Sequence, residues 1–286
     1  MDAPTAPPPA LVASLVDGPS LVTAVEWHER IDSTNRRAFE AGHREGGPPG
    51  LLVVADEQTA GRGRQGRGWS APPGSSLMLS VLLERGSLGG VSLLPLTVGV
   101  AIAEAARAHA EGAEIALKWP NDLLARRGAG GWGKAGGILV ESDDRWVVVG
   151  CGINVDWRGL ERPETPLPIR SLSEVANAPV DRWRLLAGLC GVLTNRLDDA
   201  ARDPERIRGA YRDRCATLGQ QVRVTLPGAG EVHAHAADLT LEGALVLDDG
   251  ADQRVIHVGD VEHLAAEAEG HGGHGDHDGH GSGEEG

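Results

Sequence analysis

Three arginines, Arg62, Arg64 and Arg67, alternate with glycines in the run Gly61-Arg62-Gly63-Arg64-Gln65-Gly66-Arg67-Gly68-Trp69. A guanidinium stays charged and meets phosphate or carboxylate through two parallel hydrogen bonds. The glycines let backbone amides approach the same ligand closely. The chain has 41 acidic and 27 basic residues and a formal charge of −14, so clustered cations here need an anion to answer them. The run is therefore expected to be an anion-binding loop rather than a solvated surface.

The lysines point to the same chemistry. Among the 27 basic residues only Lys118 and Lys134 are lysines, and an ammonium acts as a compact point charge on phosphate or carboxylate. Lys134 falls in a glycine-rich loop just before a strand-like run. Lys118 precedes Trp119-Pro120-Asn121-Asp122, where the proline ends a strand and holds Asn121 and Asp122 in a turn. Asp122 is open to two readings: a functional carboxylate, or a cap on a helix begun by Leu123-Leu124-Ala125.

Two familiar nucleotide motifs fail on context. Gly61–Gly66 satisfies G-x-G-x-x-G, but Trp69-Ser70-Ala71-Pro72-Pro73-Gly74 follows, where the dinucleotide fold needs a helix. Gly128–Lys134 approximates a Walker A loop. Ala135 stands where the magnesium-binding hydroxyl should be, and a strand follows instead of a helix.

The elements that must position these residues read as mixed α and β. Leu51–Ala55, Leu77–Leu83, Glu114–Lys118, Gly137–Glu141 and Trp146–Gly150 are strand-like. Ser92–Glu111, Asp181–Asp199 and Pro204–Ala216 carry helical periodicity, with Ser92 and Asp181 as caps. Beyond Gly219 come strand-length pieces at Gln221–Leu226, Glu231–Asp238, Ala244–Leu247 and Gln253–His257. Their close spacing predicts a small β-barrel. The expected organisation is a Pro/Ala-rich disordered segment over 1–20, a catalytic domain over 21–217, a barrel over 218–264 and a disordered tail over 265–286. That tail carries His271, His274, His277 and His280 among acids, a tract able to bind nickel or zinc loosely. Net acidity argues against a nucleic-acid coat. Apolar runs such as Leu93–Ala103 are too short to span a bilayer. The opening residues lack a signal peptide, and three scattered cysteines suggest neither disulfides nor a metal cage, so a cytoplasmic protein is expected.

Taken in order, five motifs resemble the biotin protein ligases: Asp32-Ser33-Thr34-Asn35, Gln58 through Trp69, Lys118-Trp119-Pro120-Asn121-Asp122, Lys134-Ala135-Gly136-Gly137-Ile138-Leu139-Val140-Glu141 and Gly150-Cys151-Gly152-Ile153-Asn154. The resemblance spans about Ile31–Asn154 and extends weakly through the barrel. It implies an α+β fold with a mixed sheet flanked by helices, related to class II aminoacyl-tRNA synthetases, plus a C-terminal Src-homology-3-like barrel. It also implies a two-step reaction: biotin and ATP give biotinoyl-AMP and pyrophosphate, then a carrier lysine takes the biotin and AMP leaves.

By that resemblance Ser33, Thr34, Asn35, Gln58, Arg62, Gly63, Arg64, Lys134, Gly136 and Gly137 bind biotin. Arg62, Arg64, Arg67, Trp69, Asn121, Lys134 and Asn154 bind ATP. Arg62, Arg64, Lys134 and Asp122 carry catalysis, with Asp122 near Mg2+. The implied partner is a biotin carboxyl-carrier protein or domain of acetyl-CoA, propionyl-CoA or pyruvate carboxylase. Monomer and homodimer both stay open. The 20–25 residues before the first motif cannot form the helix-turn-helix domain of bifunctional members, so no DNA binding or repressor role is expected. The rivals are a lipoate ligase of the same fold, whose loop is less regular in Arg and Gly, and a non-catalytic metal-binding scaffold, which would lose Arg62, Arg64, Lys134 or Asp122.

Overall fold

The computed structural model describes residues 6–44, 47–88, 90–176, 178–228 and 230–264. In chain order the elements are α1 (Pro9–Asp17), β1 (Ala24–Ile31), α2 (Thr34–His43), β2 (Leu51–Gln58), β3 (Ser76–Glu84), α3 (Leu94–His109), β4 (Glu114–Lys118), β5 (Asp122–Arg126), β6 (Gly133–Ser142), β7 (Trp146–Asn154), α4 (Leu172–Val175), α5 (Arg182–Arg202) and α6 (Pro204–Arg212). Then follow β8 (Gln221–Leu226), β9 (Gly230–Leu239), β10 (Leu245–Asp248), β11 (Gln253–Ile256) and β12 (Asp260–His263). The expected α+β architecture is present.

Seven strands form one mixed sheet in the order β1-β2-β3-β7-β6-β5-β4. Only β1 and β2 run parallel; the remaining neighbours are antiparallel. Leu77–Leu83 of β3 and all of β7 are buried, because helices cover both faces and alternation in polarity has no solvent side to serve. One face carries α3 and α5 over residues such as Leu52, Leu79, Val149 and Ile153. The other carries α2, whose Ala38 and Ala41 pack on Val53, Leu82, Trp146 and Val148. Along β7 the α2 face therefore continues past Val148 to Gly150, Gly152 and Asn154, by the two-residue period. There α2 ends, and the sheet lies open.

Several expectations change. Residues 9–17 of the segment expected to be disordered form α1, with Leu15 buried. Pro9 occupies the first turn, where its missing N–H costs nothing. Helix α3 begins at Leu94 without a side-chain cap, so Ser92 lies outside it, while Pro95 sits in its first turn. Asp122 caps no helix: it opens β5, opposite Lys118 in the β4–β5 hairpin. Lys134 belongs to β6 rather than to a preceding loop. Three strands, β1, β5 and β12, were not anticipated. The histidine-rich tail lies outside the described residues.

The C-terminal strands form a five-stranded antiparallel sheet, β11-β10-β9-β8-β12. It is tied to the seven-stranded core at Trp119, which is 2% exposed. The Trp119 indole N–H donates to the Gly243 carbonyl (2.9 Å), and its backbone N–H donates to Thr217 Oγ1 (3.0 Å). Thr217 Oγ1 lies 3.1 Å from His263 Nε2 on β12. Burial, aided by the Lys118 charge, pushes His263 down to about 4. The unfolded chain takes up that proton near the ordinary histidine value, whereas the folded chain resists it until about 4. Stability from this group is thus fully present above about 6.5 and declines as pH falls toward about 4. Thermal midpoints measured across that window should fall for the wild-type chain, and His263→Gln should flatten that limb. Parallel curves for the two proteins would refute the assignment.

Candidate active site

Where α2 ends, the sheet carries a strip of backbone with almost no side chains. Gly137 of β6 faces Gly152 of β7, and Leu139 faces Gly150. A Cβ at Gly150 would overlap Asn35 Oδ1, and one at Gly152 would overlap the Trp69 indole. Trp69 therefore lies flat on the strip, with its ring also above Gly137. A cleft of about 550 Å³ opens over this floor. Its walls are the N-terminal end of α2, the arginine loop, the β4–β5 turn and the segment 163–169.

One end of the cleft is neutral and polar. Ser33 caps α2. Gln58 Oε1 accepts from the Thr34 backbone N–H (2.8 Å) and hydroxyl (3.1 Å). Ser80 Oγ lies 2.7 Å from Thr34 Oγ1 and 2.6 Å from Asn35 Oδ1. Asn35 Nδ2 in turn donates to Glu141 (2.7 Å). This chain of donors and acceptors fixes rotamers that would otherwise be free, which is how a rigid polar pocket is held ready.

The other end is cationic, and most of its cations hold a protein partner. Arg62 pairs with Glu141 (3.1 Å), Lys134 Nζ with Asp122 (2.7 Å) and Arg67 with Asp260 (2.7 Å). Arg64 donates to Asn121 Oδ1 (3.3 Å), while Asn121 Nδ2 donates to the Ile138 carbonyl (3.0 Å). Burial holds Arg64 below the usual guanidinium value. Burial also lowers the Lys118 ammonium; Asp122 opposes this and Lys134 reinforces it. The Lys134 backbone is itself clamped. Its N–H donates to the Pro168 carbonyl (2.7 Å), and its carbonyl accepts from Arg170 N–H (2.9 Å) and from Asn154 Nδ2 (3.3 Å). Asn154 Oδ1 accepts from Ser76 Oγ (3.3 Å), which accepts from the Trp157 indole N–H (2.9 Å).

The expected site residues Ser33, Thr34, Asn35, Gln58, Arg62, Gly63, Arg64, Arg67, Trp69, Asn121, Asp122, Lys134, Gly137 and Asn154 all line this one cleft. Gly136 does not. It neighbours Gly137 on a strand, so it points to the opposite face, against Leu123 and the Gly152 carbonyl. Asn154 is 3% exposed, with its amide spent on Ser76, Lys134 and Arg170, so it positions Lys134. Sequence reasoning left Glu141, Ser80, Trp157 and Asp260 without a role, and singled out Lys118 without placing it among the ligand-binding residues. Glu141 ends a quoted motif and Lys118 begins one. Ser80 sits in a run of apolar residues that reads only as core. Cys151 also lines the cleft, but burial pushes its thiol up, which makes it a poor nucleophile. Among the described residues no group of three or more His, Cys, Asp or Glu could hold a metal.

Comparison with known proteins agrees with this geometry. Residues 27–156 match the biotin/lipoate A/B protein ligase family, and residues 217–264 match the biotin protein ligase C-terminal domain. A biotin--[acetyl-CoA-carboxylase] ligase of Mycobacterium tuberculosis is 37% identical over 220 residues, covering 75% of this chain and 79% of the relative. Its counterpart in Paracoccus denitrificans is 33% identical, covering 81% of this chain and 97% of that one. A biotin protein ligase from Aquifex aeolicus, solved with biotin and ATP, superposes with a TM-score of 0.72 at 26% identity. It spans 85% of this chain and all of that one.

The floor makes a specific demand. Gly152→Ala should displace the Trp69 ring, costing about 1–3 kcal/mol in stability and on the order of 100-fold in cleft chemistry through misplacement. Gly131→Ala, whose Cβ would meet no atom within 4 Å, should leave both unchanged. Equal behaviour of the two variants in denaturant titration and turnover would show that the floor tolerates side chains.

Proposed function

The chain belongs to the biotin protein ligases, and from that premise we infer how its own residues carry out the reaction. The enzyme joins biotin to a protein at the expense of ATP. What supports the reading in this cleft is the placing of a neutral polar pocket beside five converging cations, Arg62, Arg64, Arg67, Lys118 and Lys134. The pocket, built from Ser33, Thr34, Asn35 and Gln58, suits biotin's ureido ring, which is uncharged but strongly polar. The cations suit its carboxylate and a triphosphate.

In the first step a biotin carboxylate oxygen forms a bond to the α-phosphorus of ATP. The bond from that phosphorus to the bridging oxygen breaks, and its electron pair leaves with pyrophosphate. Two anions must meet, so the barrier is mainly electrostatic repulsion and charge growing on the α-phosphoryl oxygens. Arg62, Arg64 and Lys134 oppose both, and Arg67 holds the phosphates. Asp122 pairs with Lys134 and Glu141 with Arg62, which keeps these two cations in place. Trp69, flat on the glycine floor, offers a face to the nucleotide. In the second step a carrier lysine attacks the acyl carbon. The C–O bond to the phosphate breaks, AMP leaves with that electron pair, and the amine loses a proton as the amide forms. Asp122, at the cleft mouth beside Asn121, orients Lys134 and faces the incoming amine.

Mg2+ fits this donor set modestly. It is commonly held by one or two carboxylates plus substrate phosphates, and Asp122 with Asn121 would supply the protein oxygens. When bound it neutralises phosphate charge. The acceptor we propose is a biotin carboxyl-carrier domain of acetyl-CoA, propionyl-CoA or pyruvate carboxylase. Three free cysteines suit a reducing compartment, the cytoplasm. No described helix is long and apolar enough to cross a membrane.

The lipoate alternative is disfavoured physically. A dithiolane head offers no hydrogen-bonding partner to the polar end of the cleft formed by Thr34, Asn35 and Gln58, whereas a ureido ring does, and a site built to hydrogen-bond its substrate discriminates strongly against an analogue that cannot. Exchange of labelled pyrophosphate into ATP should depend on biotin and not on lipoate, and a carrier domain should become biotinylated. Lys134→Ala should lower that exchange by roughly 100-fold or more while barely moving the thermal midpoint. Exchange with lipoate alone would reverse the assignment. Equal losses of activity and stability would make Lys134 structural.

A further inference from the structure

The arginine loop is attached to the protein by Trp69, seated on the glycine floor at one end, and by its three arginine side chains elsewhere. None of residues 61–69 is fully buried. Gln65 (φ 54°) and Gly66 (φ 73°) are left-handed, so the loop tip turns sharply. Three side chains tether it: Arg62 to Glu141 on β6, Arg64 to Asn121 in the β4–β5 turn, and Arg67 to Asp260. The last tether differs from the others, because Asp260 opens β12 of the C-terminal sheet and lies 193 residues further along the chain. Asp260 is fixed by strand pairing to Thr225, so the anchor is rigid and the loop is the part free to move. Its charge also reaches Arg64 and Lys118.

A carboxylate at this point is paradoxical for a triphosphate site, since it repels the ligand. The paradox resolves if its occupation alternates with that of the phosphates. The pair is solvent-exposed, with side chains 61% and 36% accessible, and such pairs are weak enough to exchange.

We propose that Asp260 is a positioning residue that stands in for pyrophosphate: it holds Arg67, and with it the loop, closed over the adenylate after pyrophosphate has left. On ATP binding Arg67 transfers from Asp260 to the phosphates. When the α–β bond breaks and pyrophosphate departs with its electron pair, most of the negative charge departs too. Arg67 then has only the single anionic phosphate of the mixed anhydride nearby, and Asp260 takes it back. The loop stays shut during the interval in which water could destroy the intermediate. The inference rests on the ligase reading above.

The test uses the full chain with biotin and ATP, without acceptor, and follows AMP release from leaked or hydrolysed adenylate alongside KM for ATP. Asp260→Asn should raise leakage 3- to 10-fold while leaving KM for ATP unchanged or lower, since a competing anion has been removed. Asp260→Glu should stay within twofold of wild type. Arg67→Ala should also leak, and Arg67→Ala/Asp260→Asn should leak no more than Arg67→Ala alone. A mere folding defect would raise KM for ATP together with leakage, and that result overturns the proposal. So does wild-type leakage in Asp260→Asn, or multiplication of the two single effects in the double variant. Biotin-dependent pyrophosphate exchange by the wild-type chain checks the underlying ligase reading separately; its absence would sink that reading, whatever the Asp260 variants do.

Discussion

The absence of side chains at three neighbouring positions of the sheet is the constraint on which the cleft depends. Gly137, Gly150 and Gly152 leave bare backbone where β6 meets β7. Onto that bareness settle the end of α2 through Asn35 and the far end of the arginine loop through Trp69. A methyl group at either contact would lift one wall of the site off its floor. The glycines serve by what they do not occupy, and the surrounding buried strands β3 and β7 supply the rigidity that lets a gap persist in a close-packed protein.

Charge is arranged with the same economy. In a chain of formal charge −14, three of the cations that face the cleft, Arg62, Arg67 and Lys134, are each paired with a carboxylate. Glu141, Asp122 and Asp260 spare the protein the self-repulsion of an open cluster of like charges. Each also sets the rotamer of a side chain too long to place itself. The carboxylates come from three different strands, so the counter-charge is part of the frame while the arginines are part of the moving loop.

Much of this was legible in the residues, because the chemistry demanded unusual types at close spacing. Arginines alternating with glycine, two isolated lysines and a Trp-Pro-Asn-Asp turn each announce a purpose. What stayed hidden had one of four causes. Strand β1 and helix α1 were masked by composition: Ala24–Ile31 mixes polar and apolar residues, and the prolines leading into α1 read as disorder although Pro9 starts the helix. Asp122 was ambiguous because a turn aspartate looks the same whether a helix or a strand follows. Gly136 was placed at the ligand because adjacent residues in a motif look alike until the strand's alternation separates them. Asp260 had no local signal at all, since its partner is distant in sequence and only the placing of the C-terminal sheet brings them together.

That placing is secured at Trp119, whose indole reaches out of the catalytic core to the carbonyl of Gly243 between two C-terminal strands. Gly243 itself sits at φ 85° with Leu96 of α3 against the space its side chain would fill. Such a joint makes the two regions poor interchangeable modules. A chimera that grafts the terminal sheet of one relative onto another's core must carry Trp119, Leu96, Thr217 and Gly243 as a matched set. Replacing any one of them alone would leave the joint with an unfilled space or an unpaired polar group.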